Sequence, residues 1–331
     1  MNPLIGEDGR LRSPWRLLAQ YLSYWVAVAL LANLGIVAWL LVGSGSNALS
    51  SGDANVAALV GYPGLFLISK LASVTAALLT VWLAGRLLDR RPFRDFGFRL
   101  DGSWWLDFLF GMALGALLIT GIFLTQLAFG WVKVTDTFST VGGSSGAPFA
   151  LAILLPLAAF ACAGVAEESV FRGYDLRNAA QGLGGFVGPR SAVLAAWTLS
   201  SLFFGVLHAW NPNATIMSTV NIVLAGILLG LGYVLTGQLA IPIGLHITWN
   251  FFQGNVFGFP ASGLDPVGAT FFSVSRDGPA LFTGGPFGPE GGLLVTTAVF
   301  IGGLLISAWV RIRHGSAAVH TALAEPPHST K

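Results

Sequence analysis

The chain has 331 residues, of which 54% are hydrophobic and only 10% charged. A soluble domain carries about 25% charged residues, so this composition excludes an ordinary soluble enzyme and points to a polytopic membrane protein. The formal net charge of +2 is too small to imply a nucleic-acid partner, and the single cysteine, Cys162, excludes an intrachain disulfide.

A membrane span takes about 20 apolar residues. Eight runs approach that length: Tyr21–Val42, Leu65–Gly85, Phe108–Phe129, Phe149–Ala166, Ala192–Leu207, Thr215–Leu235, Leu239–Phe257 and Leu293–Val310. They predict an all-α, polytopic membrane helix bundle of about eight transmembrane helices. The first run is longer than the roughly 7 to 15 residues of a signal-peptide core and reads as a span. Residues 1–313 form a single transmembrane domain in this reading, and 314–331, polar and carrying Pro326 and Pro327, form a disordered cytoplasmic tail.

Lys and Arg are retained on the cytoplasmic side of a membrane. With eight spans, the arginines at positions 10, 12, 16, 86, 90, 91, 94, 99, 172, 177, 190, 311 and 313 share one side, while Lys133 and Arg276 sit on the other. Both termini are then expected in the cytoplasm, and the setting expected is a prokaryotic plasma membrane. Lys70, near the outer end of the second run, can snorkel. Trp104, Trp105 and Trp131 bracket the third run as interface anchors, and Asp107 suits its first turn. The outer loop from Gly258 to Gly292 is rich in Gly and Pro and reads as a set of tight turns, with Glu290 charging the start of the last helix.

The fourth run ends in Ala166-Glu-Glu-Ser-Val-Phe-Arg-Gly173, and carboxylates and guanidinium at membrane depth are a functional-site hypothesis by default. On a helix, Glu168 and Arg172 stand four apart and can pair, as structural support. Glu167 is turned away and left as the unpaired carboxylate suited to general-base work. Two of the five histidines, His208 and His246, also lie in apolar runs. His246 and Asn250, four apart, present an imidazole and a carboxamide that can donate to one oxyanion, and His208 can share the activation of a water with Glu167. His314, His320 and His328 look incidental. Asn221 reads as helix-to-helix glue.

At these residues the chain resembles the CAAX prenyl protease and bacteriocin-processing (CPBP, or abortive-infection) family of intramembrane proteases. The signature there is E-E-x-x-x-R, F-x-x-x-H and H-x-x-x-N, and Glu167-Glu168-Ser-Val-Phe-Arg172, Phe204-Gly-Val-Leu-His208 and His246-Ile-Thr-Trp-Asn250 match it. The resemblance covers about 149–257. It implies an endopeptidase in which Glu167 and His208 activate water while His246 and Asn250 steady the oxyanion. It further implies a peptide or protein substrate, CAAX-like and lipidated or otherwise attached to the bilayer. Both a metal-free glutamate mechanism and a metalloprotease have been described for such proteins. Glu167, His208 and His246 would suit zinc with an open position, but H-E-x-x-H is absent and the metal-free form is preferred here.

These readings converge on hydrolysis by Glu/His-activated water in a cavity open to the cytoplasm. The alternative is a non-enzymatic protein, either a proton-coupled transporter or a bacteriocin-immunity-type scaffold. A transporter would call for broken helices or an inverted repeat, and no clear repeat is present. One difficulty is depth: at about 1.5 Å per residue, His208 lies roughly 25 Å beyond Ala192. It can meet Glu167 only if the segment around Gly188 to Ala196 lies along the inner interface, so that the span begins later.

Overall fold

Backbone polar groups in hydrocarbon have to be satisfied within the chain, so apolar runs of this length become helices. A computed structural model describes residues 3–6, 8–41, 63–141 and 147–327. The helices are α1 (Ser13–Leu41), α2 (Pro63–Ala84), α3 (Gly102–Ala128), α4 (Phe149–Glu168), α5 (Arg177–Val187), α6 (Pro189–Leu207), α7 (Ile216–Thr236), α8 (Ala240–Phe251) and α9 (Leu293–His314). Among the described residues, seven helices are long and apolar enough to cross a membrane, with α4 and α5 counted as one continuous unit from Phe149 to Val187. The chain is a multi-pass integral membrane protein. The expected first run ends at Val42, which lies outside the described residues.

The run expected as the seventh of eight spans differs from the rest. It folds as the 12-residue α8 followed by a five-residue π turn, Phe252–Val256, and every residue from Ala240 to Trp249 is buried. A helix enclosed by other helices needs no lipid-facing stripe. Small residues let its neighbours come close, as is usual between membrane helices. A Cβ on Gly111 of α3 would collide with the Ile241 carbonyl oxygen, one on Gly244 with the Phe108 carbonyl oxygen, and one on Gly164 of α4 would stand 2.8 Å from the Ile247 side chain.

The arginine-bearing termini gather at one end of the bundle. There Arg16 pairs with Asp89, Arg10 donates to the Asp89 carbonyl (3.1 Å) and Arg177 to the Asp95 carbonyl (2.7 Å). This grouping follows the side chosen from the sequence as cytoplasmic. α6 is one continuous helix from Pro189, and its early residues Ala192, Val193 and Ala196 are buried with Leu176 and Ala180 in a layer at this end.

The tail departs from the disorder predicted over 314–331. Leu323 and Ala324 are buried in that same layer, the His320 amide donates to the Val234 carbonyl (2.8 Å), and Arg91 donates to the Glu325 carbonyl. Apolar Val319, Leu323 and Ala324, set among polar neighbours, are what dock it. His328 lies outside the described residues. His314 is not incidental either, since its Nε2 meets Asp107 Oδ2 at 3.0 Å while Trp309 Nε1 donates to Asp107 Oδ1 at 2.9 Å. Trp104 is a core residue rather than an interface anchor, 5% exposed and donating to the Gly97 carbonyl at 2.9 Å.

At the opposite end, β1 (Val132–Val141) and β2 (Gly268–Arg276) form a two-stranded antiparallel ribbon with a register irregularity between Val134 and Asp136. The helical prediction missed it, although Val132-Lys-Val-Thr-Asp-Thr alternates β-branched with polar residues. The rest of 258–292 is turns and short helical pieces, fastened to the end of α8. Asn255 donates to the carbonyls of Val267 (2.9 Å) and Ala269 (2.6 Å), and Gln253 donates to Pro260 O (2.7 Å) and to Glu290 Oε2 (3.0 Å). Glu290 therefore braces this loop, its carboxylate also accepting from the Ser262 amide. Asn221 does act between elements, donating at 2.9 Å to the carbonyls of Glu290 and Gly292 and accepting from Thr296.

Candidate active site

The helix carrying the two glutamates changes pitch at them. α4 ends at Glu168 and runs without interruption into an eight-residue π segment, Ser169–Leu176, every residue of which is buried. π segments are rare and concentrate at functional sites. The helix with the third motif does the same immediately after Asn250, at Phe252–Val256.

Glu168 is completely enclosed, and both of its bonds fall on one oxygen, Oε2 meeting no partner among the described residues. Its Oε1 accepts from Arg172 at 2.9 Å and from His246 Nδ1 at 2.8 Å. Arg172, 1% exposed, also donates to the Gly226 carbonyl (3.2 Å) and lies 4.4 Å from the centre of the Phe204 ring. The sequence-predicted pair thus exists, and it ties α4 to α7, α6 and α8. Glu167 faces the other way. Its side chain keeps 25% of its surface and its Oε2 stands 3.8 Å from His246 Nε2, too far for a hydrogen bond. Among the described residues it accepts no hydrogen bond from protein.

His208 caps the end of α6. A carbonyl oxygen can only accept, so the 2.7 Å contact from Nδ1 to the Phe204 carbonyl puts the proton on Nδ1 and leaves Nε2 as the free nitrogen. Phe204, 3% exposed, lies tilted against the His208 ring at 4.6 Å and under Arg172. For His246 the carboxylate of Glu168 plays the orienting part, holding Nδ1 and aiming Nε2 at Glu167. Asn250 is half-buried, and among the described residues its carboxamide makes no hydrogen bond to protein.

Glu167, His208, His246 and Asn250 all line one cavity of ≈ 250 Å³, together with Phe66, Lys70, Phe160 and Phe204. The structure therefore brings together the four residues singled out as catalytic, and leaves Glu168 and Arg172 behind the wall. It also adds residues that the motifs did not reveal: Lys70 on α2, Asn211 after α6, and Ser262, Asp265 and Glu290 from the outer loop. A lone Lys in an apolar run was the visible signal for the first. The loop residues carried none, because their place depends on how 258–292 folds back.

The lining of the cavity runs from Glu167 to Asn211, Ser262 and Asp265, toward the end of the bundle away from the arginines. The reason is that α6 presents His208 at its far end, about 28 Å from Pro189. Zinc was considered on Glu167, His208 and His246, yet among the described residues no three His, Cys, Asp or Glu side chains are grouped so that they could hold a metal ion. The donor set does not fit a metal site.

Residues 148–252 match the family model Rce1-like, whose description is type II CAAX prenyl endopeptidase Rce1-like. The matched segment begins one residue before α4 and ends two residues after Asn250, so it holds all three motifs. No curated protein and no solved structure matches the chain.

Proposed function

We propose that this membrane protein, Rce1-like over residues 148–252, is a metal-free intramembrane endopeptidase acting on a hydrophobic or membrane-attached peptide of CAAX-like kind, in a cavity that opens on the non-cytoplasmic side. The observation that carries this reading is the division between adjacent glutamates. Glu168 is bound through Oε1 to Arg172 and His246 behind the wall, and Glu167 lines the cavity with His208, His246 and Asn250, making no hydrogen bond to protein among the described residues.

In this scheme a water sits between the Glu167 carboxylate and His208 Nε2. Glu167 takes its proton as the oxygen attacks the scissile carbonyl carbon. The oxyanion accepts from the Asn250 carboxamide and, in this scheme, from His246 protonated at Nε2. When the carbon–nitrogen bond breaks, Glu167 returns its proton to the leaving amine. Water is thereby divided between the new carboxyl and amino ends. The apolar walls from Phe66, Phe160 and Trp249 exclude bulk solvent and suit an apolar side chain or a lipid modification.

The test is cleavage of a hydrophobic reporter peptide by purified protein in micelles or vesicles. Glu167→Gln is expected to lower the rate by a factor on the order of 10² to 10⁴ with an unchanged melting temperature. Undiminished cleavage in that variant would overturn the assignment. Exposing the reporter to one face of oriented vesicles at a time determines the side of entry.

A further inference from the structure

Lys70 enters the cavity from α2, a helix that carries none of the three motifs, and among the described residues no other lysine or arginine lines it. Its place follows from how two helices run. α2 and α4 pack along one another, and both lead toward the arginine-bearing end of the bundle. α4 starts against Gly268 of β2, and α2 leads into the turn whose Asp89 pairs with Arg16. Phe66 and Phe160 hold the two helices in register, edge to face at 5.7 Å. Lys70 lies one turn beyond Phe66 and Glu167 two turns beyond Phe160, so their backbones differ in depth by only about 4.5 Å, which a lysine stem spans. The ammonium, 5.6 Å from the centre of the Phe66 ring, is an electrostatic partner of the Glu167 carboxylate.

A carboxylate in a largely apolar cavity takes up a proton unless charge or hydrogen bonds hold it ionised, and a protonated Glu167 cannot act as a base. Among the described residues Glu167 accepts no hydrogen bond from protein, so charge has to hold it. The groups around it differ in what they supply. His246 of α8, with Nε2 3.8 Å away, and His208 at the end of α6 are cationic only when both ring nitrogens carry protons. Arg172, on the same helix, is paired with Glu168 behind the wall. Tyr24 of α1 adds no positive charge, α7 contributes only apolar residues to the wall, and Asp265 and Glu290 of the outer loop carry the same sign as Glu167. Lys70 alone brings a positive charge that does not depend on the histidines.

We propose that Lys70 is a positioning residue of the hydrolytic reaction, its ammonium keeping the Glu167 carboxylate ionised and directed into the cavity to take the proton of the attacking water. This inference rests on the endopeptidase reading and adds a fourth helix to its machinery.

The experiment uses full-length protein in micelles without substrate. The infrared band of the protonated Glu167 carboxyl, identified as the one that Glu167→Gln removes, is followed against pH with Lys70 retained or changed to Met, Gln or Arg. Its midpoint is expected to move up by about one pH unit or more in Lys70→Met and in Lys70→Gln, as loss of a nearby opposite charge requires, and to return in large part with Lys70→Arg. In cleavage of a hydrophobic peptide, the acidic limb of kcat against pH should move by the same amount with KM little changed, and kcat should approach that of the unaltered protein at pH values above both midpoints.

A midpoint that stays in place in both neutral variants would overturn the proposal. So would a shift that Lys70→Arg leaves uncorrected, since that marks lost packing rather than lost charge, or a loss of activity equal at every pH. A rise in KM with the limb unmoved would make Lys70 a substrate contact and also counts against it. The expected band shift without cleavage of any peptide would instead defeat the protease reading while leaving Lys70 as the group that holds Glu167 ionised.

Discussion

The two ends of the bundle treat their polar groups in opposite ways. Toward the arginine-bearing end, charged side chains are bonded to one another: Arg16 with Asp89, Tyr21 with Asp175, Arg172 with Glu168, and Asp107 with Trp309 and His314. Around the cavity, among the described residues, Glu167 and Asn250 make no hydrogen bond to protein, Glu167 facing His246 Nε2 only at 3.8 Å, and His208 keeps one nitrogen free. Burial of these groups is tolerated at the first end because each meets an opposite charge or a hydrogen-bond donor, which is an arrangement that positions helices. At the second the groups are poised for something that enters. The boundary between the regimes falls between two consecutive residues, Glu167 and Glu168.

Exchanging the two glutamates one at a time sharpens that boundary most. Glu168→Gln leaves Arg172, 1% exposed, without its countercharge, and the loss of one partner in a buried pair costs about 3–5 kcal/mol. A large fall in thermal stability, read by tryptophan fluorescence in detergent, is expected for Glu168→Gln and none for Glu167→Gln. Equal stability of the two variants would erase the distinction between a structural and a chemical carboxylate.

Asn250 comes next. If its carboxamide donates to the oxyanion, Asn250→Ala should lower kcat by about 10² to 10³ with little change in KM, as loss of one such donor does elsewhere. A rise in KM with kcat intact would place Asn250 in substrate binding and return oxyanion stabilisation to His246 alone.

Much of this site was legible beforehand because the relevant physics is local. Glu168 and Arg172 are one helical turn apart, as are Phe204 and His208 and also His246 and Asn250, so spacing alone sets which side chains share a face. The free carboxylate followed from the same arithmetic, and the π segment that begins at Ser169 did not disturb it. What stayed hidden is long-range. Nothing in the run around Leu239–Phe257 says that it is enclosed by α3, α4 and α7. Its role depends on Gly111, Gly164 and Gly244 letting backbones approach. The end of the bundle at which the cavity lies depends on the length of α6 above its buried first turns. The ribbon was overlooked because β1 and β2 are more than a hundred residues apart, and its pairing reads as two unremarkable loops until both are placed.

The tail offers the mildest test, at the arginine-bearing end. His320 packs against Gly237, and burial, followed by the nearby Arg177 and Arg99, holds its pKa below the ordinary histidine value. The docked tail therefore binds fewer protons than a released one. Docking is at full strength above the usual histidine range near about 6.5, and it weakens as pH falls from there through the lowered value of the docked state. Because one partly exposed group is involved, the change is expected to stay within about 1 kcal/mol. Limited proteolysis between Gly315 and Glu325, with a protease active across the window, should speed up modestly from pH 7.5 to pH 5.5. In His320→Gln the ring that titrates is gone, so the pH response should vanish while the apolar anchors Leu323 and Ala324 still hold the segment. The same acceleration in that variant would assign the pH response to another group, and cleavage already rapid at pH 7.5 in the unaltered chain would mean that the tail does not dock.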